Sequence, residues 1–137
     1  MAENEIFDEL QELILADARK TYSETVIDHF LYPRNAGELQ DPDSYAVMSG
    51  ICGDTIEMFV GLDLDRIDRI SFVTNGCGPT IACSSALTCL VKGCTVAEAM
   101  HVSGADVIGF LGGLPLESTH CADLAVNTLR GALEKLS

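Results

Sequence analysis

Six cysteines are spread along the 137 residues, and three of them have neighbours that suit an exposed thiolate: Cys52 in GICGD, Cys77 in NGCGP and Cys121 in STHCAD. Asp54 stands two residues after Cys52, and His120 immediately precedes Cys121. Thiolate is a soft ligand for zinc, iron and iron-sulfur clusters, while imidazole and carboxylate are the harder donors that accompany it. Cys52, Asp54, Cys77, His120 and Cys121 together point to a metal or iron-sulfur site. No C-x-x-C pair is present and the sulfurs stand 25 and 44 residues apart, unlike a zinc finger, so the fold must assemble the site.

Each residue has a blander reading. The three cysteines could be small buried hydrophobes. Asp54 is either a solvated turn carboxylate or a hard oxygen donor beside soft sulfurs, which would weaken the site and let its contents leave. His120 is a nitrogen ligand or a surface residue at a helix start. The glycines around Cys52 and Cys77 permit tight backbone and leave space beside the sulfurs. Cys83 and Cys89 are six residues apart on one predicted helix, a turn of about 600°, so they point to different faces. They read as packing residues and Cys94 as a surface thiol, with Cys83 the best placed of the three to exchange sulfur with Cys77. His29 and His101, with no cysteine or carboxylate pattern nearby, read as surface histidines.

The elements that must position these residues follow from pattern. Apolar positions from Ile6 through Ile14 and on to Phe30 have helical spacing, and Pro33 ends that helix. Asn35 to Asp43 reads as a surface loop. Strands are expected at Tyr45–Ser49, at Ile56–Leu62 and at Ile70–Thr74, the last two joined by a short hairpin. Cys52 then lies in the turn between the first two strands. A helix starts at Pro79 and stops at Gly93, placing Cys77 just before its N-terminus. Thr95 with Glu98 has capping-box spacing, Ser103 can cap another short helix ending at Gly112 and Gly113, and Ser118 or Thr119 begins the last helix. Cys121 falls in that helix's first turn, and Leu124, Leu129, Leu133 and Leu136 supply its buried face. Unpaired N–H groups and the positive end of a helix dipole favour anionic sulfur at Cys77 and Cys121. The expected class is α+β: a small three-stranded antiparallel sheet, helices packed on one face, and the site at one end of the sheet.

Composition narrows the partners. Eight basic against 21 acidic residues give a net charge of -13, a field that repels nucleic acid and anionic lipid. No apolar run approaches the roughly 20 residues of a membrane span, and the acidic start is unlike a signal peptide. Six cysteines in such a chain point to the reducing cytoplasm and to metal or catalytic use before disulfides.

From Tyr22 onward the chain resembles the IscU/NifU N-terminal iron-sulfur scaffold family, on YSETVIDHFLYPRN at Tyr22 to Asn35, CGD at Cys52 to Asp54, GCG at Gly76 to Gly78 and HC at His120 to Cys121. The resemblance implies an IscU/SufE-like fold and a scaffold, not an enzyme. Such a scaffold takes sulfur from a cysteine desulfurase and iron from a donor, builds a transient [2Fe-2S] cluster, and passes it to apo iron-sulfur proteins. It implies Cys52, Cys77 and Cys121 as cluster cysteines, Asp54 as the carboxylate that keeps the cluster labile, His120 as an auxiliary ligand, and Zn²⁺ as an occupant of the cluster-free site. A homodimer sharing one cluster is left open.

The chain departs from the family pattern in three places. LPLES at Leu114 to Ser118 stands where many members carry LPPVK for an Hsp70-type chaperone. Residues 1–20, six acidic and two basic, precede a scaffold domain at 21–137 as a helical extension. Cys83, Cys89 and Cys94 are extra thiols. The alternative function is a zinc-dependent sulfurtransferase accepting persulfide, but that branch has a longer insertion before its last cysteine. Here 43 residues separate Cys77 from Cys121, and His120 is present, which favours the scaffold. A closed structural zinc site would need neither Asp54 nor glycine-opened sulfurs.

Overall fold

Three antiparallel strands, β1 (Ser44–Ser49), β2 (Thr55–Asp63) and β3 (Arg66–Thr74), form a sheet in the order β1-β2-β3 in the computed structural model, which describes residues 3–51 and 53–136. Alternation along β2 sends Ile56, Met58 and Val60 to one face, where all three are fully buried. The opposite face carries Tyr45 stacked at a tilt on Phe59, with ring centroids 5.0 Å apart, and the Arg69 guanidinium lying over Gly61. The β2–β3 connection turns at Leu64, which takes the left-handed conformation (φ 57°).

The helices are α1 (Glu3–Ala18), α2 (Glu24–Leu31), α3 (Gly78–Val91), α4 (Val96–Met100), α5 (Gly104–Phe110) and α6 (Thr119–Glu134), with a 3-10 turn at Leu116–Ser118. Of the helices, α3 and α6 pack directly on the sheet, on the Ile56–Met58–Val60 side. α6 packs across β1 and β2, α3 packs against β3 and α6, and α2 lies on α3. The α+β class and three-stranded sheet expected from the pattern are present. α3 is apolar or small nearly all round, as a helix at the centre of a core should be, and Ala82 through Thr88 are all buried. The expected stop is there too: Gly93 has φ +91° beyond the cap residue Lys92. Both short helices carry full capping boxes, Thr95 with Glu98 and Ser103 with Asp106. Accepting those backbone and side-chain hydrogen bonds holds the Glu98 and Asp106 carboxyls below their usual range.

Three local expectations need correction. The continuous N-terminal helix is two helices: Ser23 adopts extended φ/ψ, accepts from the Val26 amide at 3.1 Å and donates to the Leu111 carbonyl, which starts α2 afresh and ties it to the end of α5. His29 is not at the surface. It lies on the α2 face that packs on α3, only 5% exposed, with Nδ1 2.7 Å from Ser85 Oγ and the Phe110 ring edge-on at 5.5 Å. Cys89 and Cys94 exchange roles: Cys89 is exposed where α3 emerges from the core, while Cys94 is half-buried with Sγ 3.5 Å from the Leu90 carbonyl. His101 is exposed as expected.

Candidate functional site

Asp54, Cys77, His120 and Cys121 come from three separate elements and line one cavity at one end of the sheet. Asp54 ends the turn between β1 and β2. That turn is closed by the Gly50 amide donating to the Asp54 carbonyl at 2.8 Å and by the Gly53 amide donating to the Gly50 carbonyl at 3.1 Å. Gly53 has φ +85°, a conformation costly for a residue with Cβ, which is why glycine follows position 52. Cys52 itself lies outside the described residues.

Cys77 is the N-cap residue of α3, with extended backbone and Pro79 in the helix's first turn, so its side chain stands at the helix mouth and is exposed. Cys121 lies in the first turn of α6, as expected, but is buried at 3% exposure. Half-buried His120 places Nε2 3.7 Å from Cys121 Sγ. One cysteine therefore faces the entrance and one lies behind it.

Between these donors stands a residue that the sequence analysis did not single out. Thr80, fully buried, donates its hydroxyl to Asp54 Oδ2 at 2.7 Å, and the same oxygen lies 3.4 Å from Cys121 Sγ and 3.9 Å from Cys77 Sγ. Among the described residues, no three of the His, Cys, Asp and Glu side chains converge as a metal-binding group. Asp54, Cys77 and Cys121 are instead arrayed around the Thr80 hydroxyl. Threonine has no place in a search for metal ligands, and the signal that could have found it is its spacing: position +3 after an N-cap residue faces back toward the cap.

The glycines flanking Cys77 serve packing more than open space. A Cβ on Gly76 would meet Thr80 side-chain carbons at 2.7 Å, and one on Gly78 would meet the Phe30 ring at 3.3 Å. Cys83 is wholly enclosed behind the site. Burial pushes its thiol well above the ordinary range, and negative charge at Cys121 and Cys77 adds to the effect. A thiol so held is a packing group, not a ready nucleophile.

The site opens into a cavity of about 560 Å³ whose walls are largely apolar, including Ile14, Leu15 and Ala18 of α1 and Tyr22, Phe30 and Pro79 of the body. Beside it, the 3-10 turn within LPLES leaves Leu116 almost fully exposed. Among the described residues, no helix is long and apolar enough to cross a membrane.

Comparison with known proteins gives a consistent result. The chain is 40% identical over 113 residues to the iron-sulfur cluster assembly scaffold protein IscU 1 of Archaeoglobus fulgidus, covering 82% of this chain and 74% of that protein. The nitrogen fixation protein NifU of Azotobacter chroococcum is 38% identical over 115 residues, 82% of this chain but 37% of that protein. The fold is shared with a NifU-like protein (N-terminal) from Brucella abortus, with TM-score 0.69, 14% identity, and coverage of 83% of this chain and 92% of that one. Residues 21–137 match the family described as the NifU-like N terminal domain, and the chain belongs to that family.

Proposed function

We propose that this protein is a scaffold on which a labile [2Fe-2S] cluster is assembled de novo from iron and desulfurase-derived sulfur, and from which the cluster passes to apoproteins. The observation that carries this reading is the gathering of Asp54, Cys77 and Cys121 around one hydroxyl at the mouth of an open cavity. The relatives named as iron-sulfur assembly scaffolds support it. The cluster is cargo, so the donor set should bind well enough to build and weakly enough to release.

In this reading Cys52, Cys77 and Cys121 supply soft sulfur to iron. Asp54 supplies a hard oxygen that makes the site easier to leave, and His120 an auxiliary nitrogen. Exposed Cys77 is the side from which sulfur arrives and the cluster departs. Sulfur delivered at the sulfane level takes up two electrons per atom to become sulfide, so a reductant acts beside the desulfurase and the iron donor. The same donors suit Zn²⁺ in the cluster-free protein. The extension at residues 1–20, separate from the assembly domain at 21–137, walls the cavity through Gln11, Ile14, Leu15 and Ala18 and carries partner contacts.

Anaerobic reconstitution with iron(II), cysteine, a cysteine desulfurase and dithiothreitol tests the function. Visible cluster absorbance that moves to an apo-ferredoxin is expected. Absence of a cluster, or a cluster that never transfers, would sink the proposal.

A further inference from the structure

Thr80 is three residues beyond Cys77, one turn into α3, and its side chain is completely enclosed. Three donors from three elements share it as a neighbour, the Asp54 carboxylate most closely at 2.7 Å. A hydroxyl has one proton and two lone pairs, while an ionised carboxylate can only accept. The short contact therefore commits the proton to Asp54, and the two sulfurs lie around the same oxygen at longer range.

The position is built to hold that hydroxyl. Gly76 omits the side chain that would strike Thr80, and the Thr80 carbonyl accepts from the Ser84 hydroxyl at 2.9 Å. Threonine's branched Cβ restricts χ1, so a packed Thr80 aims its oxygen in one direction. Asp54, by contrast, projects from a turn and is half-buried. Without a partner its carboxylate would sample several rotamers.

We propose that Thr80 is a positioning residue: by fixing Asp54 Oδ2, its hydroxyl directs the second carboxylate oxygen, together with Cys77 and Cys121, toward bound iron or zinc. The inference rests on the reading of these residues as a ligand set. Hydrogen-bonded partners of metal ligands commonly contribute about 10–100-fold to affinity, which sets the scale.

The test uses Zn²⁺ as probe, titrated against a chromophoric chelator, with the full chain as wild type, Thr80→Val, Thr80→Ser, Asp54→Ala and Thr80→Val/Asp54→Ala. Valine keeps the shape and deletes the hydroxyl, so affinity should fall by about 10–100-fold. Serine keeps the hydroxyl and should bind within about 2-fold of wild type, and in the Asp54→Ala background Thr80→Val should add less than about 2-fold. Wild-type affinity in Thr80→Val overturns the proposal. So does an equal loss with and without Asp54, because the effect would then not run through the carboxylate. Circular dichroism and urea midpoints accompany each variant, and Thr80→Ala, which adds no bulk, replaces valine if that variant does not fold. Zinc results as expected from a protein that builds no transferable cluster would refute the scaffold function and leave the role of Thr80 standing. A wild type that binds neither metal refutes both.

Discussion

Replacing Gly76 with alanine should damage the site although Gly76 ligates nothing. Gly76 is not among the glycines with positive φ, so the cost of an added methyl is steric. The new Cβ would lie 2.7 Å from both Cβ and Cγ2 of Thr80 and 2.9 Å from its Oγ1. Carbon atoms rest at about 3.5–4.0 Å, so each carbon contact overlaps by roughly 0.8 Å or more. Thr80 is enclosed and stiff at χ1, which leaves no easy escape. Forcing a methylene-sized group into such packing costs about 1–3 kcal/mol. Escape by turning or displacing Thr80 would instead break its bond to the Asp54 carboxylate, and a hydrogen bond to a charged group is worth about 1.5–3 kcal/mol. These are alternative routes to relief, so they do not add, and a loss of about 1–3 kcal/mol is expected either way. Urea unfolding followed by circular dichroism measures it as a lower midpoint at unchanged slope. The chelator titration should show weaker Zn²⁺ binding in the same variant. Gly78→Ala is the internal comparison: its Cβ would meet Phe30 at 3.3 Å, and that ring is 44% exposed and free to yield, so a smaller loss is expected. Gly76→Ala with stability within about 0.5 kcal/mol of wild type and unaltered zinc binding would refute the tight Gly76–Thr80–Asp54 arrangement.

Further outcomes follow from the same geometry. Asp54→Ala removes the hard donor and should lengthen the lifetime of a reconstituted cluster, followed by the decay of its visible absorbance; an unchanged or shorter lifetime would count against that role. Native alkylation with iodoacetamide followed by peptide mass spectrometry should modify exposed Cys89 readily and Cys83 only after unfolding. Rapid native labelling of Cys83 would contradict its enclosure. Burial first, and then the Arg34 cation, hold His29 below the ordinary imidazole value against a smaller opposing effect of Asp28. The unfolded chain therefore takes up this proton first as pH falls, so the contribution is complete above about pH 6.5 and is lost toward and through the lower folded value. Urea midpoints at pH 7.5 and 5.5 should separate wild type from His29→Gln, with the wild type losing more on acidification by at most about 1.4 kcal/mol per pH unit. Parallel losses in both proteins would refute a buried neutral His29.

The punctuation of this fold was readable because single residues carry it. Gly93, Thr95 with Glu98, and Ser103 act through local φ or a local hydrogen bond, and each ends or starts an element where expected. The alternation Ile56–Met58–Val60 was equally plain, since a half-buried strand writes its inner face into every second residue. Periodicity failed at Ser23, where the apolar spacing runs on through a break set by a tertiary bond to Leu111. It failed at His29 because a polar residue on the buried face of α2 is tolerated only by virtue of Ser85, 56 residues away. The candidate residues were singled out by their chemistry, and Asp54, Cys77, His120 and Cys121 line one cavity. Thr80 was not, because its importance lies in which side chains three distant elements bring to its hydroxyl.

In the proposed function Asp54, Cys77 and Cys121, with Cys52, hold an iron-sulfur cluster only until it is passed on. The most direct test is the anaerobic reconstitution followed by transfer to an apo-ferredoxin, run on the wild type and on Cys52→Ala, Cys77→Ala and Cys121→Ala. Visible cluster absorbance is expected to appear on the wild type, move to the ferredoxin, and be lost in each cysteine variant. A cluster that forms undiminished without any one of these cysteines, or a wild-type cluster that stays where it was built, would contradict that function.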